Sequence, residues 1–420
     1  MRHPKIPPFA VPIAAALVCL AFVQQPEFPV LGGQPPGHPP ETYVPEVDGF
    51  ETTIFVDGLD IPWSLVFAPD GRMFISERPG TIRVGENGRL AAEPFGTIEV
   101  NAEGEGGLMG LAVAPDFADN PWLYVMYTYR RGSGDTSQIV NRVSRFRAPA
   151  GSLGAEEILI DGILGGRAHD GGRIAFGPDG KLYVGTGEAF QKERAQDMDD
   201  LGGKILRIEP DGSIPADNPF PGSPIYTLGH RNVQGLAWHP QTGALFNSEH
   251  GPSGERWTRA DGEQVRARAH DEVNVMTAGG NAGWANIVGY GGVEGYIDPI
   301  LVWPGPAVPP SGMTFYTGDL MPELAGDLFL ATLAAEALFR IQFDDPGNPH
   351  DPTSVERWFS SEEGRGTFGR LRDVVQGPDG ALYLLTNSDR RRRGEGRGRG
   401  RGVTRPEGLD KVLRIAPTGR

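Results

Sequence analysis

Cysteine is almost missing from this chain. The single one, Cys19, lies inside an apolar stretch at the N-terminus, so disulfides play no part in a mature protein. Long hydrophobic runs are missing too. The longest, Phe9 to Val23, is short for a membrane helix and is interrupted by Pro12. Positive charge is scarce outside one segment. The net charge is −15, yet Arg390 to Gly402 (RRRRGEGRGRGRG) alone holds a local +6, which leaves the rest at −21. An acidic body of that kind excludes nucleic acid as the main partner. The Arg/Gly run has no apolar residue and reads as a solvated loop. With 61 glycines and 38 prolines, mostly in turn-like clusters, a mainly helical protein is excluded as well.

The chain opens with basic Arg2, His3 and Lys5 followed by the apolar stretch. Residues 1–24 read as a signal peptide or an N-terminal anchor, which implies an exported, periplasmic protein with possible association to a membrane. Residues 25–48 are proline-rich and read as a linker.

What the remainder has is repetition. Leu65-Val66-Phe67-Ala68-Pro69-Asp70-Gly71 is followed by Met73-Phe74-Ile75, and the same strand–turn–strand pattern returns at Pro115, Pro178, Pro240 and Pro378. A looser copy joins Met313–Tyr316 to Gly326–Leu330. Proline presets φ for each turn and glycine takes the positive φ that closes it. The first intervals between turn prolines are 46, 63 and 62 residues, more than two strands need. Six copies at that spacing predict an all-β fold over residues 49–417, a six-bladed β-propeller of four-stranded antiparallel blades, with its site at the mouth of the central channel.

Polar residues cluster where the inner strands begin or where their partners end. His169-Asp170-Gly171-Gly172-Arg173, His230-Arg231-Asn232, Glu249-His250-Gly251-Pro252 and Arg370-Leu371-Arg372-Asp373 are such groups. Each has a plainer alternative. His169 alone suits a turn, Arg370 and Arg372 suit salt bridges to nearby acids, and Gly251-Pro252 suits a bend. Three arginines converging on one channel would instead call for an anionic, multi-carboxylate or phosphorylated ligand.

These groups, with Gly58-Leu59-Asp60-Ile61-Pro62-Trp63-Ser64-Leu65, Gly106-Gly107-Leu108-Met109-Gly110, Asp271-Glu272-Val273-Asn274 and Gly280-Asn281-Ala282-Gly283-Trp284, resemble in order the soluble PQQ-dependent glucose and aldose sugar dehydrogenases. The resemblance spans about residues 50 to 417. It implies pyrroloquinoline quinone (PQQ) over the channel and oxidation of an aldose to its lactone. By it, His169 takes the proton from the anomeric hydroxyl, and Arg231 and Asn232 bind the quinone side. Arg370 and Arg372 meet the cofactor's carboxylates and ring. The carbonyls of Gly251 and Pro252 hold a Ca2+ beside the cofactor, and Glu272 with the Ala282 carbonyl marks a second calcium. Electrons leave to an external acceptor, since no haem ligation is visible. The sequence departs from the family at three places. Ala334 stands where a lysine that contacts the cofactor is expected, Glu105 replaces a glutamine, and Glu188 an aspartate, both of these at cofactor-binding positions by the resemblance. Ser253 to Ala269 is an apparent insertion. Two rival functions remain beside this one: a calcium-dependent lactone hydrolase, which needs acidic and asparagine metal ligands in the channel, and a binding propeller without catalysis.

Overall fold

The computed structural model describes residues 27–86, 88–149, 151–362, 366–388 and 409–419. The expected signal or anchor segment and the Arg/Gly run lie outside them. Among the described residues no helix is long and apolar enough to cross a membrane.

Six antiparallel sheets stand around a channel, as the repeat predicts. Their inner strands are Pro62–Phe67, Leu108–Val113, Gly171–Phe176, Val233–Trp238, Pro310–Phe315 and Leu371–Gln376. Each inner strand touches the next, and the last touches the first, so the ring closes. A blade grows outward from its inner strand. The third, for example, continues through Leu182–Thr186, Lys204–Ile208 and Ile225–Leu228. Apolar residues on both faces of the strands interleave between blades, which is why strands such as Leu328–Thr332 are buried throughout.

The Pro-Asp-Gly turns behave as their chemistry requires. The Gly180 N–H donates to the Gly177 carbonyl at 2.9 Å, with Gly180 at φ 72°. The aspartates do more than turn the chain. Asp179 accepts from Tyr183 and Arg207, and Asp379 accepts from Tyr383 and Arg414, so blades three and six carry the same tyrosine–arginine brace.

Two features were not visible in the repeat. Phe50–Leu59 pairs with Asp410–Pro417, so the sixth blade is completed by both ends of the propeller. The proline-rich stretch read as a linker is docked rather than loose. Val30–Leu31 pairs with Ile287–Val288, and Glu41–Val44 adds a fifth strand to blade five by pairing along Pro352–Trp358.

Candidate active site

In an antiparallel pair the second strand ends where the first began. Residues preceding the inner strands therefore meet residues following their partners at one end of the channel, opposite the Pro-Asp-Gly turns. His169, Arg231, Arg370, Glu188 and the Gly251-Pro252 pair all fall at that end.

His169 is buried, 3% exposed, in the left-handed region at φ 60°. Its N–H donates to Glu105 Oε2 at 3.0 Å, and its carbonyl accepts from Ala189 at 3.1 Å. A side chain on Gly187 would come within 2.0 Å of that carbonyl, so only glycine fits there. His169 Nδ1 is hydrogen-bonded to Glu188 Oε1. Burial first, then the charge of Arg231, pushes the imidazole down to about 3. Burial pushes the Glu188 carboxyl up to about 7. At neutral pH the ring is therefore neutral, and Glu188, once ionised, accepts a hydrogen bond from Nδ1–H and leaves the Nε2 lone pair available. Behind it Asp170 accepts from Gly166 and Asn141 and fixes the approach to the strand.

Arg231 reaches the same place from blade four. The Glu188 N–H donates to the Arg231 carbonyl at 3.0 Å. The guanidinium is almost fully committed. Nε and Nη2 donate to Glu255 Oε1 at 3.0 and 2.5 Å, Nη2 to Ser253 Oγ, and Nη1 to the His250 carbonyl. Burial draws the Glu255 carboxyl upward, but Arg231 outweighs it and holds the group below its usual range. Asn232 is fully buried between blades, accepting from Gly171 at 2.9 Å and from Gln234, with its amide against His250.

The third group lines the channel itself. Arg372 donates to Gln234 Oε1 at 2.9 Å and contacts Ser311, while Arg173 pairs with Asp373 at 2.9 Å. Both guanidinium groups lie over the Trp63 ring, at 5.4 and 4.5 Å. Burial, with Arg370, Arg78 and Arg173 nearby, pushes Arg372 down to about 9. Arg372 Nε and Arg173 Nη2 are buried without a hydrogen-bond acceptor. Cations crowded in this way, with donors unused, fit a ligand carrying several carboxylates. Ala334 sits at the rim, exposed, and supplies no charge there.

The calcium candidates are backbone groups. Gly251 and Pro252 are buried, and a side chain on Gly251 would come within 2.1 Å of the Ala269 carbonyl. Glu272 is pushed well above the carboxylate range by burial and by Glu249, Asp271 and Asp298, so a cation there would be stabilising. Ala282 lies in the nearby loop, its N–H donating to Leu228 at 2.9 Å. Among the described residues no three His, Cys, Asp or Glu side chains converge as a metal site, and backbone carbonyls are the hard-ion ligands that the candidate positions Gly251, Pro252 and Ala282 offer.

Sequence reasoning passed over Trp63, Arg173, Gln234, Glu255 and Phe190 as site residues. A usable signal existed for the first three. Counting back from each turn proline, Trp63, Gln234 and Arg372 are equivalent, as are Ser64, Arg173 and Asp373. Residues at one level of a ring meet. Nothing comparable marks Glu255, which sits in the inserted segment.

The family described as Glucose / Sorbosone dehydrogenase matches residues 59–393. The aldose sugar dehydrogenase YliI of Escherichia coli is 32% identical over 369 residues, covering 80% of this chain and 89% of that protein. The quinoprotein glucose dehydrogenase B of Acinetobacter calcoaceticus is 32% identical over 279 residues, 59% of this chain and 55% of its own. The PQQ-bound structure of the aldose sugar dehydrogenase from Streptomyces coelicolor superposes with a TM-score of 0.69 at 34% identity, covering 87% of this chain and 98% of that one.

Proposed function

The chain belongs to the glucose/sorbosone dehydrogenase family, and from that membership and its channel chemistry we propose that it oxidises the anomeric hydroxyl of an aldose to the lactone. It is a PQQ-dependent sugar oxidoreductase acting on CH–OH groups. The observation that carries the finer reading is the His169–Glu188 pair, set beside Arg231 at the mouth of an arginine-lined channel.

The residues present fit the cofactor. Arg372 and Arg370, with Arg173 beside them, would hold its carboxylates, and the unused Arg372 Nε is a donor waiting for an acceptor. Bound there, the quinone supplies the hydride acceptor for the sugar's anomeric carbon. His169 Nε2 takes the hydroxyl proton, and Glu188 steadies the imidazolium that results. Arg231 offers positive charge where negative charge develops. Asn232 keeps blades three and four in register, which holds Arg231 and His169 at their separation. Glu105 fixes the His169 backbone. The carbonyls of Gly251 and Pro252 would hold Ca2+ against the cofactor, and Glu272 with the Ala282 carbonyl would hold the second ion. The basic and apolar N-terminus supports export to the periplasm, with electrons passed to an external acceptor there.

The test is reconstitution. Purified apoprotein is titrated with PQQ and Ca2+, followed by absorbance, then assayed for dye reduction across a panel of sugars. Cofactor-dependent turnover supports the reading, and no absorbance change on titration overturns it. His169→Ala should keep the cofactor and lose turnover by about a hundredfold or more. Unchanged turnover removes His169 as the base.

A further inference from the structure

Phe190 is 59% exposed, the most open large apolar side chain among the described residues. It stands at the mouth of the site rather than on the outer surface of a blade. Ala189 and Phe190 are consecutive residues in the left-handed region, at φ 52° and 61°. Side chains other than glycine, asparagine and aspartate rarely adopt that conformation, and such strain gathers at functional sites. The strain is held by named bonds. The Ala189 N–H donates to the His169 carbonyl at 3.1 Å, and the Gln191 N–H to the Glu188 carbonyl at 2.9 Å. These bonds explain the backbone and would be made as well by glycine or asparagine. They do not explain an aromatic ring.

The ring's position does. Its centroid is 4.0 Å from that of the His169 ring, at a 45° tilt. One part of the phenyl ring rests on the imidazole and the rest faces water. Glu105 is also exposed and sits against the His169 N–H through Oε2 at 3.0 Å. An apolar ring, a carboxylate acceptor and a neutral imidazole thus surround one opening. A pyranose with equatorial hydroxyls presents a flat face of C–H groups that covers an aromatic ring and displaces water from both. Its hydroxyl edge remains free for a carboxylate and for the base.

We propose that Phe190 is the sugar platform of this site, a specificity-determining residue that seats the C–H face of an aldopyranose so that its anomeric hydroxyl meets His169. The proposal rests on the sugar-oxidising reading above. It accounts for a strained, exposed aromatic residue that neither the fold nor the His169–Glu188 pair requires.

The experiment is steady-state kinetics on the reconstituted full-length protein, varying D-glucose and a soluble dye acceptor independently. Phe190→Ala should raise KM for glucose roughly three- to tenfold, the loss of one aromatic contact, with kcat and the acceptor KM within about twofold of wild type. Phe190→Tyr should restore the glucose KM. The rise should be smaller for D-talose, whose axial hydroxyls interrupt the C–H face. A melting temperature unchanged by Phe190→Ala separates this effect from misfolding. An active wild type whose glucose KM is indifferent to Phe190→Ala overturns the platform alone. A rise in the acceptor KM instead would make Phe190, with exposed Met198, a docking surface for the electron acceptor and overturn it equally. A wild type that binds cofactor but oxidises no sugar overturns this proposal together with the function it rests on.

Discussion

At the scale of single residues the proposed chemistry turns on which nitrogen of His169 carries the proton. An ionised Glu188 accepts from Nδ1 and leaves Nε2 as a base. A protonated Glu188 donates to Nδ1 instead, and the ring then carries its proton on Nε2, where it cannot accept another. Burial places that carboxyl at about 7 and the imidazole at about 3. The acid limb of the rate profile should therefore follow Glu188, with kcat rising as pH passes upward through about 7. Glu188→Gln removes the titrating group, so the variant's profile should flatten between pH 5.5 and 8 while kcat at pH 8 falls on the order of a hundredfold. A variant that keeps the limb would assign it to another group. The same shift has a sign for stability. A carboxyl raised in the folded state stabilises most below its unfolded value and loses that contribution as pH rises through about 7. Little of this was legible beforehand. The sequence marked His169 by its place before a strand, equivalent to polar groups in other blades, and Glu188 only as the residue standing where the resembled family has an aspartate. Their pKa directions depend on burial and on Arg231, which comes from another blade, and no local pattern encodes that.

At the scale of elements the inserted segment matters most. Ser253–Thr258 and Gln264–Arg268 form a two-stranded hairpin outside the blades. It is anchored by Trp257, which packs edge-on against Trp284 at 5.5 Å and donates to the Ala285 carbonyl at 3.1 Å. Arg259 in its turn donates to the Pro29 carbonyl, so the N-terminal stretch braces it from outside. The hairpin's first strand carries Glu255 to Arg231, which is 2% exposed. Removing one partner of a buried pair leaves the other charge uncompensated. Glu255→Ala should then destabilise the apoprotein by roughly 3 kcal/mol, read by chemical denaturation. Glu255→Gln keeps an acceptor and should lose less. In a double-mutant cycle with Arg231→Met the two losses should fail to add, because both break one interaction. Additive losses would mean that the pair is not coupled. The sequence marked this stretch as extra by its length between two motifs. It did not show that the insertion supplies the counter-ion for a residue of the core, since the bond runs from a hairpin side chain to a neighbouring loop and follows no repeat.

At the scale of the whole molecule the ring turns six weak local signals into one charged channel. Half of one level of the inner ring is glycine, namely Gly110, Gly235 and Gly312, and a side chain on Gly312 would come within 1.8 Å of Asp373 Oδ1. The space left by Gly312 lets Arg173 of blade three reach Asp373 of blade six at 2.9 Å, with the Leu65 N–H of blade one donating to the same carboxylate at 3.2 Å. Arg372, one level nearer the mouth, has neutral hydrogen-bond partners and several cations around it. Without an anionic ligand its charge works against folding, because burial and neighbouring cations depress its proton affinity to about 9. Arg372→Met should therefore raise the melting temperature of the apoprotein or leave it unchanged. The ligand's effect should run the other way. PQQ at a hundred times its dissociation constant stabilises the wild type by about 2.7 kcal/mol, a shift of about 3 °C for a chain of this size. At that same concentration Arg372→Met should show little of the increment, because the cation proposed to meet the carboxylates is gone. Thermal melts with and without cofactor read both arms. An apoprotein destabilised by Arg372→Met, with the increment retained, would make Arg372 a structural residue of the ring and leave the cofactor's carboxylates to other groups.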